Sequence, residues 1–192
     1  MNRENYQTMI RPFLSEKRFR HSVCVAEMAE YLARKFGADE EKAWTAGILH
    51  DILKEQSPED QLKMMDEFGI ILTDEERPAQ KLWHAILGAA YLERKQGISD
   101  REILDAIRYH TTARANMTLL EKVVFVADFI SADREFEGVE VLRQAAETSL
   151  DQAVLLGASM TIQDLAERHH TIHPDTIAAY NWSVLHAPAP VI

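Results

Sequence analysis

The stretch Gly47-Ile48-Leu49-His50-Asp51-Ile52-Leu53-Lys54 sets an imidazole and a carboxylate side by side inside an apolar run. Burying either group without a partner costs kilocalories, so the rest of the chain must supply partners. Other polar residues sit on apolar stripes in the same way. His21 lies four residues before Val25, on the face that continues through Met28, Ala29, Leu32 and Phe36. His84 leads Leu87, Gly88 and Tyr91, His110 follows Ile103 and Ile107, and Asp128 interrupts the apolar run Val123 to Ile130. With 8 His and 12 Asp in 192 residues, about one half of a His-Asp dipeptide is expected by chance, so the pair alone says little. A single inward histidine also reads as an ordinary satisfied core residue. Four such histidines with two aspartates are different, because a common metal ion satisfies them together while separate burial requires a partner for each. Imidazole nitrogen and carboxylate oxygen suit iron, manganese, zinc or another divalent ion, and the lack of thiolate ligands argues against a structural zinc site.

The elements that must hold these groups read as helices. Ser15 caps a periodic stretch that runs to Phe36 and stops at Gly37. A second helix is expected from Asp39 to about Leu53, which puts Ala43, Gly47, His50 and Lys54 on one face with Asp51 one step round. Ser57-Pro58, Thr73 to Glu76, Ser99 to Glu102 and Thr118 to Glu121 each read as the start of a further helix. Val139 to Thr148, Leu150 to His169 and Pro174 to Leu185 complete the series. No alternating strand pattern, repeat or low-complexity segment is present. The expectation is an all-α bundle of about seven to ten helices, with residues 1–186 as one domain and 187–192 as a loose tail.

Composition agrees with a globular helical chain: 46% hydrophobic and 27% charged residues, with only 7 Gly and 6 Pro for tight turns. The net charge of −10 argues against nucleic acid or an anionic membrane as partner, since either needs a basic face. The single cysteine, Cys24, cannot form an internal disulfide and reads as a small core hydrophobe, and no apolar leader precedes the first helix, so the expected address is cytoplasmic. Trp44, Trp83 and Trp182 read as core or homodimer contacts.

The order His21, His50-Asp51, His84, His110, Asp128 resembles the HD-domain phosphohydrolases. Within them the chain is similar to the YqeK-type symmetrical diadenosine tetraphosphate hydrolases. The likeness is carried by Ser15 to Ser22, by "AGILHDILK" from Ala46, by "AIRYHTTARANMTLLEKVVFVADFI" from Ala106, by Arg134 to Gly138 and by "IHPDTIAAYN" from Ile172. It implies an all-α HD fold and one metal ion, iron first, held by His21, His50, Asp51 and Asp128. It also implies cleavage of a dinucleoside tetraphosphate into two nucleoside diphosphates. The chain departs from the family at Ala113, where glycine is usual, and at Ser131-Ala132, where Glu-Pro is usual; both departures are expected near the nucleotide.

On that resemblance, Lys54 reads as a phosphate clamp one turn after His50, with His84 and His110 donating from the opposite side. Arg18 and Arg134 read as ligands of the more distal phosphates, Thr111 as a hydroxyl donor, and Asp51 also as the group that orients or deprotonates the attacking water. Asp128 is expected to face substrate as well as metal. A second metal at His84 and His110 is disfavoured, because two histidines without a further ligand make a poor site. Arg108 and Arg114 read as surface charges, His169 and His170 as a helix end, His173 as a turn residue, and Tyr109 or Phe136 as a base-stacking ring. Two other readings compete: an HD-type nucleotidase or phosphodiesterase acting on another nucleotide, and a nucleotide-binding sensor that keeps the cage without turnover.

Overall fold

The computed structural model describes residues 2–186, so the tail expected at 187–192 lies outside it. Ten α-helices and no strand occur among the described residues. The sequence reading assigns nothing before Ser15, where the structure has α1 (Arg3–Ile10), capped by Asn2 and tied by Arg3 to Glu30 and Glu41. The helix α2 (Glu16–Phe36) begins where Ser15 Oγ accepts from the Arg18 amide and ends at Gly37, whose φ of +81° is the left-handed geometry that glycine adopts freely. Next come α3 (Glu40–Leu49), α4 (Pro58–Glu67), α5 (Gln80–Gln96) and α6 (Arg101–Tyr109). They are followed by α7 (Leu119–Ile130), α8 (Val139–Thr148), α9 (Leu150–Glu167) and α10 (Pro174–His186).

Two differences from the sequence reading bear on the site. The helix expected to reach Leu53 stops at Leu49, and the backbone tightens into turns in which Ile52 N donates to Leu49 O (3.1 Å) and Lys54 N to Asp51 O (2.9 Å). Residues three apart eclipse in such turns, so Asp51 and Lys54 come to face the same side. The second difference is at Thr73: the reciprocal bonds of a capping box form (Thr73 N to Glu76 Oε2, 2.9 Å; Glu76 N to Thr73 Oγ1, 3.2 Å), yet no helix follows until Gln80. Pro78 is the cause, since it has no N–H to continue the ladder and disfavours helical geometry at Arg77.

The helix α7 is the axis of the fold. Leu120, Val123 to Ala127 and Ile130 are all buried, and α7 packs against α2, α3, α6, α8 and α9. No helix among the described residues is long and apolar enough to cross a membrane. The helices α2 and α3 approach closely at Gly47, where a Cβ atom would lie 2.7 Å from the Ala26 Cα and 3.2 Å from the Val25 carbonyl carbon. Both are backbone atoms, so no rotamer change relieves the clash. A helical Gly to Ala change normally stabilises by up to about 1 kcal/mol through propensity, but forcing a packed interface apart costs about 1–3 kcal/mol. Gly47→Ala is therefore expected to lower the urea unfolding midpoint; an unchanged or raised midpoint would mean that this contact does not set the spacing of α2 and α3.

Candidate metal centre

Five elements converge on one buried cluster. His21 comes from the second turn of α2, His50 and Asp51 from the turn after α3, His84 from α5, His110 from the residue that ends α6, and Asp128 from α7. Three overlapping sets each place their donor atoms within 4.8 Å of one another: His21, His50 and Asp51; His50, His110 and Asp128; Asp51, His84 and His110. His21, His50, Asp51, His84 and His110 are buried, and Asp128 is nearly so.

The tautomers follow from what each ring touches. His50 Nδ1 donates to Gly47 O at 2.6 Å, and His110 Nδ1 donates to Ile107 O at 2.7 Å. Each carbonyl belongs to the last turn of a helix, where backbone partners run out, so the histidine caps the helix and fixes its own tautomer together. The Nε2 lone pairs then point into the cluster. His21 does the same with a carboxylate, its Nδ1 donating to Asp133 Oδ2 at 2.8 Å, so that its Nε2 faces Asp128 Oδ1 at 3.0 Å. These inward atoms are all acceptors. His50 Nε2 is buried with no hydrogen-bond partner, a condition that costs about 1–3 kcal/mol, and Asp51 Oδ1 is buried with no aligned hydrogen bond, its near neighbour being His84 Nε2 at 3.0 Å.

A divalent cation fits that gap. Donors bound to one ion at about 2.1 Å lie about 3.0 Å apart when adjacent in an octahedron and about 4.2 Å apart when opposite. The observed separations are 3.0 Å for His21 Nε2 to Asp128 Oδ1, 3.4 Å for His50 Nε2 to Asp51 Oδ2, 3.8 Å for His50 Nε2 to Asp128 Oδ1 and 3.9 Å for His21 Nε2 to Asp51 Oδ2. Asp51 also turns Oδ1 toward His84 Nε2 (3.0 Å) and His110 Nε2 (3.7 Å). This corrects the expectation that the His84 and His110 pair lacks a third ligand, because Asp51 presents one oxygen to each half of the cluster.

Cationic side chains surround the carboxylates. Arg18 Nη1 donates to Asp51 Oδ2 at 2.8 Å, and Arg134 donates to the Asp128 carbonyl at 2.7 Å and also pairs with its carboxylate. Lys54 Nζ lies 3.2 Å from His84 Nε2 and 3.9 Å from Asp51 Oδ1. Burial opposes the charge on Asp51, but the imidazoles of His50, His110 and His84 outweigh it and hold its pKa well below the ordinary value. Burial likewise opposes the charge on Asp128, and His21, Arg134 and His50 overcome it. Burial pushes His84 down to about 4, against the pull of Asp51, so this ring is neutral at pH 7. Burial also lowers Lys54, with Asp51 and Asp128 acting in the other direction.

A cleft of about 1010 Å³ opens from this cluster. Asp128, Arg134 and Thr111 form its inner end, Phe129, Phe136 and Met160 its apolar wall, and Lys81, Arg168 and His169 its outer part. Of the residues expected at the site, Thr111, Asp128 and Arg134 line the cleft; His21, His50, Asp51, His84 and His110 belong to the buried cluster, with Arg18 against Asp51 and Lys54 beside His84. Of the two rings considered for base stacking, Phe136 lines the cleft, whereas Tyr109 is covered by the guanidiniums of Arg114 (4.3 Å) and Arg108 (5.2 Å).

The HD-domain family pattern matches residues 18–133, more than half of the chain, and spans all six cluster residues. The chain belongs to the HD-domain family. It is 42% identical over 190 residues to the symmetrical bis(5'-nucleosyl)-tetraphosphatase of Bacillus subtilis, covering 96% of this chain and 98% of that protein. It is 40% identical to the protein of the same description from Halalkalibacterium halodurans, with 96% and 98% covered. A crystal structure from Clostridium acetobutylicum, described as a predicted HD superfamily hydrolase involved in NAD metabolism, superposes with a TM-score of 0.92 at 35% identity, covering 96% of this chain and 98% of that one. These likenesses extend beyond the matched span into the part of this HD-domain chain that carries Arg134 and the cleft residues of α9 and α10.

Some site residues escape a reading of periodicity. Ala113 has a φ of +55° and is fully buried, which gives the physical reason why glycine suits this position. Arg108 and Arg114 are not free surface charges. Arg114 pairs with the buried Glu121 (Nε to Oε2, 2.9 Å), and Arg108 Nη2 donates to the buried Glu76 at 3.0 Å. His173 joins the second pair: its Nδ1 accepts from the Asp175 amide (3.1 Å), so Nε2 carries the proton and faces Glu76 Oε1 at 3.3 Å. Glu76 therefore ties the turn before α10 to the loop before α5, across one side of the cleft.

Burial opposes ionisation of Glu76, but the Thr73 amide, Arg108 and His173 hold its pKa below 4.5. A lowered acid pKa contributes stability that is complete above the unfolded value and is lost as pH falls through the folded value. Glu76→Gln is expected to cost about 1.5–3 kcal/mol at pH 7, with the difference from the parent shrinking as pH falls below 4.5. Urea titrations of both proteins across that range test this; a constant difference would show that the charge of Glu76 is not what holds the turn.

Proposed function

We propose that this chain is a metal-dependent hydrolase that cleaves diadenosine tetraphosphate at its central bridge to give two ADP. The observation that carries the reading is the set of inward-facing acceptors, with His50 Nε2 buried and unpartnered and Asp51 Oδ1 buried without an aligned hydrogen bond. They create a demand for a cation at the inner end of a cleft roomy enough for a nucleotide. The near full-length likeness to two symmetrical bis(5'-nucleosyl)-tetraphosphatases supports the substrate. Residues 1–186 are taken as one HD domain, supported by a hydrophobic core whose buried members run from Ile10 to Ala179.

His21, His50, Asp51 and Asp128 would hold the ion. Iron is the identity proposed, with manganese and zinc as the alternatives that the same nitrogen and oxygen donors accept. When bound, such an ion supplies Lewis acidity to a phosphoryl oxygen and acidity to an attacking water. The chain's own residues do the rest. Arg134 lines the inner end of the cleft, and Arg18 and Lys54 lie against Asp51 and His84 of the cluster; together they can neutralise the negative charge that phosphoryl transfer spreads over the equatorial oxygens. His84 can donate to phosphate from the opposite side, whereas His110, whose single proton is held by the Ile107 carbonyl, can only offer Nε2 as an acceptor there; the Thr111 hydroxyl, which has no partner within the protein, can donate to an oxygen in the cleft. Asp51 orients the attacking water through whichever oxygen the ion leaves free. Phe136 offers a face for the base.

A second ion among Asp51, His84 and His110 is the rival reading, favoured by the short Asp51 to His84 separation of 3.0 Å. Lys54 Nζ, 3.2 Å from His84 Nε2, already brings an amine into that space, and one ion is therefore preferred. Elemental analysis together with a chromatographic product assay decides among the readings. One equivalent of metal and ADP as the only nucleotide product is expected; AMP plus ATP would refute the symmetrical cut, and two equivalents would favour the rival. Hydrolysis of mononucleotides or cyclic nucleotides in preference to diadenosine tetraphosphate would support the nucleotidase or phosphodiesterase alternative, and tight binding without turnover the sensor.

The side chains separate in the same assay. His50→Ala and Asp51→Ala should lose metal and activity together. Lys54→Ala should keep the metal and lose about 10²–10³ in kcat, the usual effect of removing one preorganised charge donor. If Lys54→Ala turns over at the parent rate, the phosphate-clamp role is wrong.

A further inference from the structure

Behind the metal cluster, on the side away from the cleft, His21 makes a contact that neither the motif nor the family pattern explains. Its Nδ1 lies 2.8 Å from Asp133 Oδ2, and the other oxygen of that carboxylate accepts from Ser131 Oγ at 2.8 Å. Both ends of the relay are enclosed: His21 is 4% exposed and Ser131 is fully buried. Ser131 is itself held from two directions, its amide donating to Ala127 O (2.9 Å) at the end of α7 and its carbonyl accepting from Arg143 Nη2 (3.0 Å). A carboxylate only accepts, so the proton in the contact belongs to the imidazole, and the ring can offer only Nε2 to the cluster. The same residues correct one expectation. Ser131-Ala132, read from sequence as a departure near the nucleotide, does not line the cleft: the Ser131 hydroxyl braces Asp133 against His21, and Ala132 is exposed.

We infer that Asp133, braced by Ser131, is a positioning residue for the metal site: it fixes the tautomer and orientation of His21 so that Nε2 faces the ion beside Asp128. His50 obtains the same control from a backbone carbonyl of its own helix. His21 lies in the second turn of α2, where the backbone carbonyls are already engaged in helical bonds, so its second nitrogen needs a partner from another element, and the loop after α7 supplies one. An ionised partner also makes the ring a stronger donor to a cation than a carbonyl does. Asp133 touches neither the cleft nor any other residue assigned to the ion, so its action on the site runs through His21.

This inference rests on the proposed metal site, and the experiment keeps the two apart. The metal-stripped wild type, Asp133→Asn and Ser131→Ala proteins are titrated with Mn²⁺ or Co²⁺ by calorimetry. The melting temperature is recorded with chelator and with saturating ion, and the Co²⁺ visible spectrum is taken for each. Asp133→Asn is expected to bind 10–100-fold more weakly than wild type, the usual cost of removing such a partner. Its melting temperature in chelator should stay near that of wild type, while the rise on adding ion shrinks and the Co²⁺ spectrum shifts. Ser131→Ala, which keeps the carboxylate but removes its brace, should fall between the two and carries the test if Asp133→Asn does not fold. Wild type that binds neither ion overturns the metal site and this inference with it. Wild type that binds while both variants match it in affinity and spectrum overturns the role of Asp133 alone. A variant that loses as much melting temperature in chelator as with ion, at unchanged affinity, makes the contact a fold brace and also overturns that role.

Discussion

The mutual repulsion of buried acceptors is the constraint to which the rest of the structure answers. His21 and His50 turn lone pairs inward, and Asp51 and Asp128 bring two carboxylates to the same small volume. Without compensation this arrangement opposes folding, since an unpaired buried charge costs several kilocalories per mole. The chain compensates with Arg18 on Asp51 and Arg134 on Asp128, each from the rim of the cluster rather than its centre. The centre is left to acceptors, and that is the property of a cation site. Arg134 also lines the inner end of the cleft, where a polyphosphate would arrive, so its charge serves both the stability of the empty cage and the capture of an anion.

Positions in the cage depend on how helices end. His50 and His110 both occupy the residue that follows a helix, and both donate Nδ1 to a carbonyl three residues back. Stopping α3 at Leu49 tightens the backbone so that Asp51 and Lys54, three apart, eclipse on one side instead of lying about 60° round as in a continuous α-helix. Gly47 then allows α3 to lie against the backbone of α2 at Ala26 and Val25, within about one helical turn of His21. Three local features, namely a missing Cβ, a premature helix end and a ring that caps it, bring donors from separate helices to within 4 Å. Larger residues around them act mainly to keep water and alternative packings out.

Most of the helices and all six inward residues were legible in the sequence, because periodic burial writes itself as a stripe and because Ser15, Ser57 and Thr118 each mark a start with a hydrogen-bonding cap. What periodicity cannot carry is a contact made once. The Asp133 to His21 bond spans 112 residues and leaves no pattern at either end. Arg108 and Arg114 looked like exposed charges because each is a polar residue at a polar-looking position, and only the fold reveals Glu76 and Glu121 buried against them. The false helix start at Thr73 had the right local chemistry, and its side-chain bonds do form; Pro78 a few residues on decided the outcome. Tautomers were equally out of reach, because they depend on the second nitrogen of each ring and therefore on backbone geometry.

The net charge of −10 poses a last question, since the proposed substrate is a polyanion. At physiological ionic strength surface charges are screened beyond about 8 Å, so acidic residues on distant faces add little at the cleft mouth. What an approaching phosphate meets is local. Arg134 lies at the inner end, backed by Arg18 and Lys54 at the cluster, and Lys81 and Arg168 lie further out, while Asp51, Asp128 and Asp164 are each paired with a guanidinium. The low-dielectric walls of Phe129, Phe136 and Met160 strengthen those few charges relative to the same charges in open water. An acidic protein can in this way hold a strongly anionic ligand. It also follows that the ligand's affinity should be set by a handful of cleft cations and the bound ion, with little contribution from the total charge of the chain.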